Sequence, residues 1–232
     1  MTTAQKKAAT MIDQTLLSPS ATEEEVRAFC IEAKKYGFAS VCLNPVHLKT
    51  ARSLLLGSKT KLCTVIDFPL GAGGTAAKTY GVSSAIAGGA DEVDVVMDLS
   101  LAKAHKWRQL RTQLTHIIKT VRRCESNCAL AKEKPPVVTK LILETCLLTD
   151  EEIVQACIEC KSAGFDFVKT STGFSKKGAT AHAVSLMRKT VGSEMGVKAS
   201  GGIRTVEDFN EMVEAGASRI GTSHGKEIVD AL

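Results

Sequence analysis

Short apolar runs of three to six residues punctuate the chain, and between them apolar residues recur every three or four positions. The runs have the length and make-up of buried strands, and the spaced segments have the period of amphipathic helices. A boundary mark repeats with them. Glycine closes the helical pattern at Tyr36-Gly37-Phe38, Gly88-Gly89-Ala90, Ala163-Gly164-Phe165 and Ala215-Gly216-Ala217, as suits the left-handed residue just past a helix end. A strand-like run follows each: Ser40–Leu43, Val93–Val96, Phe167–Lys169 and Arg219–Thr222.

The marking glycines stand at 37, 89, 164 and 216, at intervals of 52, 75 and 52 residues. An interval of 52 holds two strand–helix units of about 26 residues each, so these runs read as strands two, four, six and eight of an eightfold series. The odd strands fall between them, at Met11–Asp13, Leu62–Ile66, Val138–Leu143 and Gly196–Ala199. The long middle interval is assigned to a loop insertion at about 124–136, ending in Pro135-Pro136. The expected fold is α/β: one (β/α)8 TIM barrel, a single domain over 1–232. The rival, an open doubly wound sheet for a dinucleotide, lacks its Gly-x-Gly-x-x-Gly after the first strand.

Alternation along the strands separates the barrel interior from the helix layer. Strand four puts Val93, Val95 and Met97 on one face and Asp94 and Val96 on the other. Strand five sends Lys140 and Ile142 inward, and strands six and seven do the same for Lys169 and Lys198. One aspartate and three lysines are therefore expected inside the barrel. Isolated buried charges are costly, so such groups are paired, shifted or catalytic. Desolvation and a neighbouring ammonium both favour the free amine of lysine. A free amine attacks a carbonyl to form a Schiff base, the covalent route to making or breaking a C–C bond beside that carbonyl without a metal. Asp94 is the candidate proton-transfer group. On this reasoning either Lys169 or Lys198 can be the nucleophile.

Composition narrows the partners. Hydrophobic residues make up 44% of the 232 and charged residues 24%, which excludes disordered and collagen-like classes. The net charge of +5 suits an anionic small molecule. With only seven Phe, two Tyr and one Trp, single-stranded nucleic acid has few stacking platforms to bind. The first residues lack the apolar stretch of a secretory signal and no run approaches a membrane span. The eight cysteines then read as reduced, packed thiols in a cytoplasmic protein.

Two glycine-rich turns follow the late strands: Lys198-Ala-Ser-Gly201-Gly202 leads to Thr205, a helix N-cap, and Ile220-Gly221-Thr222-Ser223-His224-Gly225 opens the last helix. Barrels commonly hold a phosphate there. With Ala90-Asp-Glu-Val-Asp94-Val-Val and Phe167-Val-Lys169-Thr-Ser-Thr-Gly173-Phe, these segments resemble the deoxyribose-phosphate aldolase family, over nearly the whole chain from Ile12 to Ser223. The resemblance implies a cofactor-free class I aldolase, without metal, that cleaves 2-deoxyribose 5-phosphate to glyceraldehyde 3-phosphate and acetaldehyde in deoxyribonucleoside catabolism. It implies Lys169 as the Schiff-base lysine, Lys198 as the neighbour that lowers its proton affinity, and Asp94 as the proton relay. Asp13, Cys42, Lys140 and Thr172 match substrate-pocket positions, and Gly173, Gly201, Gly202 and Ser223 match phosphate-binding turns. A homo-oligomer, expected as a dimer, is the implied assembly. The rivals are another phosphosugar barrel enzyme, such as an isomerase, and a weakly catalytic barrel that binds a phosphometabolite or a protein partner.

Three departures stand out from the pattern of such aldolases. His224 replaces a second serine in the last turn, where its imidazole can still donate to phosphate. The loop Phe174-Ser175-Lys176-Lys177-Gly178 carries two lysines. No tyrosine lies near Leu232, whereas some relatives have a longer aromatic tail, so a slower turnover is expected. Elsewhere, Leu101 to Arg123 carries seven Lys or Arg and no acid, with Trp107, Leu110, Leu114, Ile117 and Val121 at helical spacing. It reads as an outer helix with a basic solvent face. Cys157 and Cys160, with Cys124 and Cys128 upstream, carry zinc-like spacing, but the first pair stands at i, i+3 inside a helix pattern rather than in a turn, and His47, His105, His116, His182 and His224 show no paired ligand spacing, so no metal is expected.

Overall fold

The structure is a computed structural model and describes residues 1–127 and 135–232. After α1 (Thr3–Ala9), strands and helices alternate: β1 (Ile12–Leu16), α2 (Glu23–Tyr36), β2 (Ser40–Leu43), α3 (Leu48–Leu55), β3 (Lys61–Ile66), α4 (Gly74–Ala87) and β4 (Glu92–Val96). There follow α5 (Leu99–Lys103), α6 (Trp107–Ser126), β5 (Val138–Ile142), α7 (Asp150–Ala163), β6 (Phe167–Lys169) and α8 (Ala181–Val191). The series ends with β7 (Gly196–Ser200), α9 (Val206–Glu214), β8 (Arg219–Thr222) and α10 (Gly225–Asp230). Each strand pairs in parallel with the next and β8 pairs with β1, so the sheet closes into an eight-stranded barrel.

Local chemistry sets the element boundaries. Thr22, Thr149 and Thr205 cap α2, α7 and α9, and Glu25, Glu152 and Asp208 return the bond to the cap backbone. At the other ends, the marking glycines 37, 89, 164 and 216 all have positive φ, from 68° to 110°. The apolar core lies between sheet and helices. There Val93, Val95, Leu141, Val168 and Val197 from the strands meet Leu110, Leu114 and Ile117 of α6, all fully buried. That leaves the barrel interior free for polar groups.

Two expectations change. The helix read over 101–123 is two helices, because Asp98 caps a separate α5 through the Ser100 and Leu101 amides and His105 turns the chain with φ 53°. The second helix, α6, then runs to Ser126, past the point where an insertion was expected to begin. Part of its basic charge is matched: Arg111 pairs with Glu159 of α7 and Arg122 with Glu125. Pro135 and Pro136 lie in the irregular chain entering β5, while 128–134, including Cys128, fall outside the described residues. Cys157 and Cys160 are buried core thiols in α7; burial pushes Cys157 up to about 12 and Cys160 well above the usual thiol range. No helix among the described residues is long and apolar enough to cross a membrane.

Candidate active site

Register brings the charged strand residues together. Asp94 lies beside Lys140 across β4–β5, and Lys169 beside Lys198 across β6–β7. At the centre is the Asp94 carboxylate. Its Oδ2 accepts from Lys169 Nζ at 2.7 Å and Lys198 Nζ at 2.8 Å; its Oδ1 accepts from Lys140 Nζ at 2.8 Å and the Cys63 thiol at 3.2 Å. Below it, Lys198 and Arg219 both reach Asp13 at 2.5 Å, and Ser40 donates to Asp13 at 2.7 Å. Lys140 contacts Glu92 at 2.5 Å, and Arg219 completes the layer at 3.3 Å from Glu92.

The interior therefore holds three carboxylates and four cations, not the one aspartate and three lysines read from the sequence. The expected loss of lysine charge is reversed for two of the three lysines. Burial alone would lower Lys198, but Asp13 and Asp94 override it and hold its ammonium well above the usual lysine range. For Lys140, burial is likewise overcome, by Asp94 and Glu92 among others. Burial would raise Asp94, yet Lys140, Lys169 and Lys198 hold it well below the usual carboxylate range; Lys198, Lys140 and Arg219 do the same for Asp13. Both aspartates stay ionised at neutral pH. Room for this cluster depends on Gly221, where a Cβ would stand 3.0 Å from Lys198 Cε and 3.0 Å from the Ser200 side chain.

Cys42, Cys63, Leu17 and Val65 form a small apolar cluster inside the barrel, with Phe68 against it. Burial pushes the Cys63 thiol well up, so it remains a donor to Asp94. Cys42, Cys63 and Asp94, and separately Asp13, Cys63 and Glu92, bring three ligand-type atoms within 4.8 Å. The carboxylates of both sets already bind ammonium or guanidinium groups, whose charge opposes a metal cation.

Above the cluster, at the C-terminal ends of the strands, opens a cavity of about 370 Å³. Lys169 lies on its wall, the one central lysine that does. The β6 turn contributes Thr172 and Gly173, the β7 turn Gly201 and Gly202, and the β8 turn Ser223 and His224. Gly201 has φ 88° and touches the backbone of the β6 loop, since a Cβ on it would stand 2.9 Å from the Gly178 Cα. The late turns can thus fold over one space. Asp13, Cys42 and Lys140, expected to touch substrate, are fully buried and do not line this cavity; Asp94 and Lys198 also lie beneath the wall. Lys176 and Lys177 are exposed outside it.

The comparisons with known proteins meet this geometry. The model of the DeoC/LacD family aldolases matches residues 7–230. The chain belongs to that family. It is 48% identical over 224 residues to the deoxyribose-phosphate aldolase of Lysinibacillus sphaericus, covering 97% of this chain and 95% of that one. It is 49% identical to the same-named protein of a Thermoanaerobacter species over 222 residues, covering 96% and 95%. A tetrameric deoxyribose phosphate aldolase structure from Aeropyrum pernix superposes with a TM-score of 0.85 at 37% identity, covering 98% of this chain and 91% of that chain.

Within this aldolase barrel, four features went unread in the sequence. Glu92 shares the inward parity of Asp94, and Arg219 that of Gly221, so alternation extended to the strand starts finds both. Arg204 reaches the cavity wall from within Gly201-Gly202-Ile203-Arg204-Thr205, where turn geometry and not parity decides direction. Glu144, buried beside Thr172 at 2.5 Å, had no local signal.

Proposed function

We propose that this aldolase cleaves 2-deoxyribose 5-phosphate to glyceraldehyde 3-phosphate and acetaldehyde through an imine on Lys169. The observation that carries the reading is that Lys169 alone among the central lysines both touches Asp94, at 2.7 Å, and lines the cavity shared with the glycine turns. The names of the relatives supply the substrate class. The Lys169 amine adds to the C1 aldehyde of the open sugar and water leaves, giving an iminium. That cation draws in the electron pair of the C2–C3 bond as the C3 hydroxyl loses its proton. The bond breaks, glyceraldehyde 3-phosphate departs, and an enamine of two carbons remains. Protonation at C2 and attack by water then release acetaldehyde and restore the amine.

Asp94 is ionised and within hydrogen-bond reach of the lysine nitrogens, so it can take and return protons through a water. Lys198, held as a cation, opposes a second positive charge on Lys169. At the far end, the amides of Gly173, Gly201 and Gly202, the Ser223 hydroxyl, the His224 imidazole and the Arg204 guanidinium form the phosphate seat. Asp13, Cys42 and Lys140 shape and charge the floor beneath the substrate, and Thr172 meets it from the wall. The free thiols among the described residues support a cytoplasmic setting, and the tetrameric Aeropyrum relative supports a homo-oligomer, for which we propose a dimer or a multiple of it.

The test is borohydride reduction in the presence of the sugar phosphate, with peptide mass spectrometry and an assay of released triose phosphate. A substrate-dependent adduct on Lys169, absent in Lys169→Ala, is expected, together with at least roughly a thousandfold loss of turnover in a folded variant. Near-normal turnover in Lys169→Ala refutes the reading. An adduct on Lys198 exchanges the two roles.

A further inference from the structure

Glu144 is a buried carboxylate, 3% exposed, that has no ion-pair partner among the described residues. Its backbone is in the left-handed region, φ 56° and ψ 59°, an unusual conformation for a residue with a side chain. The flanking chain holds it there: the Leu143 amide donates to the Lys169 carbonyl at 2.9 Å, and the Thr145 amide to the Thr170 carbonyl at 2.9 Å. Both bonds clamp the turn after β5 to the segment that carries the proposed nucleophile.

The carboxylate serves one neighbour. The Thr172 hydroxyl donates to Glu144 Oε2 at 2.5 Å, and the Thr172 amide points at both carboxylate oxygens, at 3.3 and 3.4 Å. The same hydroxyl accepts from the Phe174 amide at 3.1 Å. A threonine hydroxyl has one hydrogen and two lone pairs. Here the hydrogen belongs to Glu144 and one lone pair to Phe174, so a single lone pair remains on the cavity wall. The bond runs from the Thr172 hydroxyl to the carboxylate, and the Phe174 amide approaching the same oxygen turns its hydrogen toward Glu144.

We propose that Glu144 is a positioning residue of the aldolase reaction: it holds the Thr172 hydroxyl as an acceptor-only group, which selects substrates that donate a hydroxyl hydrogen at that point of the cavity. This rests on the reading that Lys169 carries a sugar phosphate as an imine. The remote end of the sugar, between the reacting carbons and the phosphate, carries such a hydroxyl.

Condensation of acetaldehyde with two acceptors tests it. Glyceraldehyde 3-phosphate bears the hydroxyl beside its aldehyde; 3-phosphooxypropanal has the same chain and phosphate without it. The wild-type enzyme is expected to favour the first in kcat/KM. Glu144→Ala and Glu144→Asn, the latter tolerant of a left-handed backbone but too short to reach, are expected to lose roughly 10- to 100-fold with the hydroxyl-bearing acceptor and little with the other. Thr172→Val is expected to lose the same preference, and the double variant no more than either single one. Glu144→Gln, whose amide oxygen can still accept from the hydroxyl, is expected to rescue most of the preference. Borohydride trapping of acetaldehyde on Lys169 reports the imine separately. If wild type traps no imine, the underlying reading fails. If it does, equal losses with both acceptors, an intact preference in the Glu144 variants, or multiplying losses in the double variant overturn the role of Glu144.

Discussion

Replacing Lys198 by methionine keeps the length and most of the volume of the side chain and removes its charge. The two lysine nitrogens contact the same Asp94 oxygen, at 2.7 and 2.8 Å, so they stand at most about 5.5 Å apart. At an effective dielectric constant of about 20, two unit charges at that separation repel by roughly 3 kcal/mol. Loss of the Lys198 charge leaves Asp94 freer to hold a proton on Lys169. The acid limb of the pH profile of kcat/KM is therefore expected to move up in Lys198→Met. On the acid side this is a loss of about 100-fold, and the gap closes as pH rises and the amine is freed in both enzymes. The assay is initial-rate cleavage across the pH range in which both proteins keep their circular dichroism. A loss equal at every pH, with an unmoved limb, refutes the electrostatic role of Lys198 and leaves only a packing role.

Gly221→Ala forces a methyl against Lys198 and Ser200, at 3.0 Å from each, and is expected to cost about 1–3 kcal/mol in urea unfolding along with most of the turnover; wild-type values for both disprove the close fit. His224, whose Nδ1 is 3.0 Å from the Ser223 hydroxyl and whose ring lines the cavity, is expected to give the phosphate a donor, so His224→Ala raises KM for the sugar phosphate by roughly 5- to 10-fold with little change in kcat. An unchanged KM counts against a phosphate contact by the imidazole. The buried Cys157 thiol, pushed up to about 12, gives a sign for alkaline stability. Above about pH 9 the unfolded chain releases this proton and the fold retains it, so stability falls with rising pH, by about 1.4 kcal/mol at pH 10 from this group alone. Cys157→Ala is expected to show a shallower fall in chemical denaturation between pH 8 and 10, and an unchanged slope excludes Cys157 as its source.

The barrel was legible because its signals are local. A left-handed residue closing the helix before an even strand is most often glycine, and four such glycines, two pairs each 52 residues apart, located four strands; β2, β6 and β8 fall on the residues read for them. Parity then aimed Asp94, Lys140, Lys169 and Lys198 inward correctly, because alternation is a property of the strand itself. The charge states were not legible. Whether Lys198 keeps its proton depends on Asp13, 185 positions away in the chain and brought within 2.5 Å only by closure of the barrel. Glu92 lies one residue before the apolar run read as the fourth strand, and β4 begins with it. Glu144 was the least legible: it takes a left-handed conformation without being glycine, and its partner Thr172 lies on the next strand's turn.

The deep layer of the barrel explains why one lysine differs from the others. Lys140 contacts Asp13, Glu92 and Asp94; Lys198 contacts Asp13 and Asp94; Arg219 contacts Asp13 and Glu92. Lys169 has Asp94 alone, and shares that carboxylate with two further ammonium groups. Four cations over three carboxylates leave one positive charge unmatched, and the contacts assign the weakest claim to Lys169. It is also the central lysine on the cavity wall, where an incoming carbonyl can meet it. Removing one proton from this cluster makes it neutral, and removing it from Lys169 breaks the fewest ion pairs. Asp13, Glu92 and Arg219 do not line that cavity, yet the two carboxylates saturate Lys140 and Lys198 and leave the nucleophile as the group with the least counter-charge. The chemistry at the mouth thus depends on ion pairs at the floor, and the residues that set the reactivity of the one central lysine on the cavity wall include groups that never reach that wall.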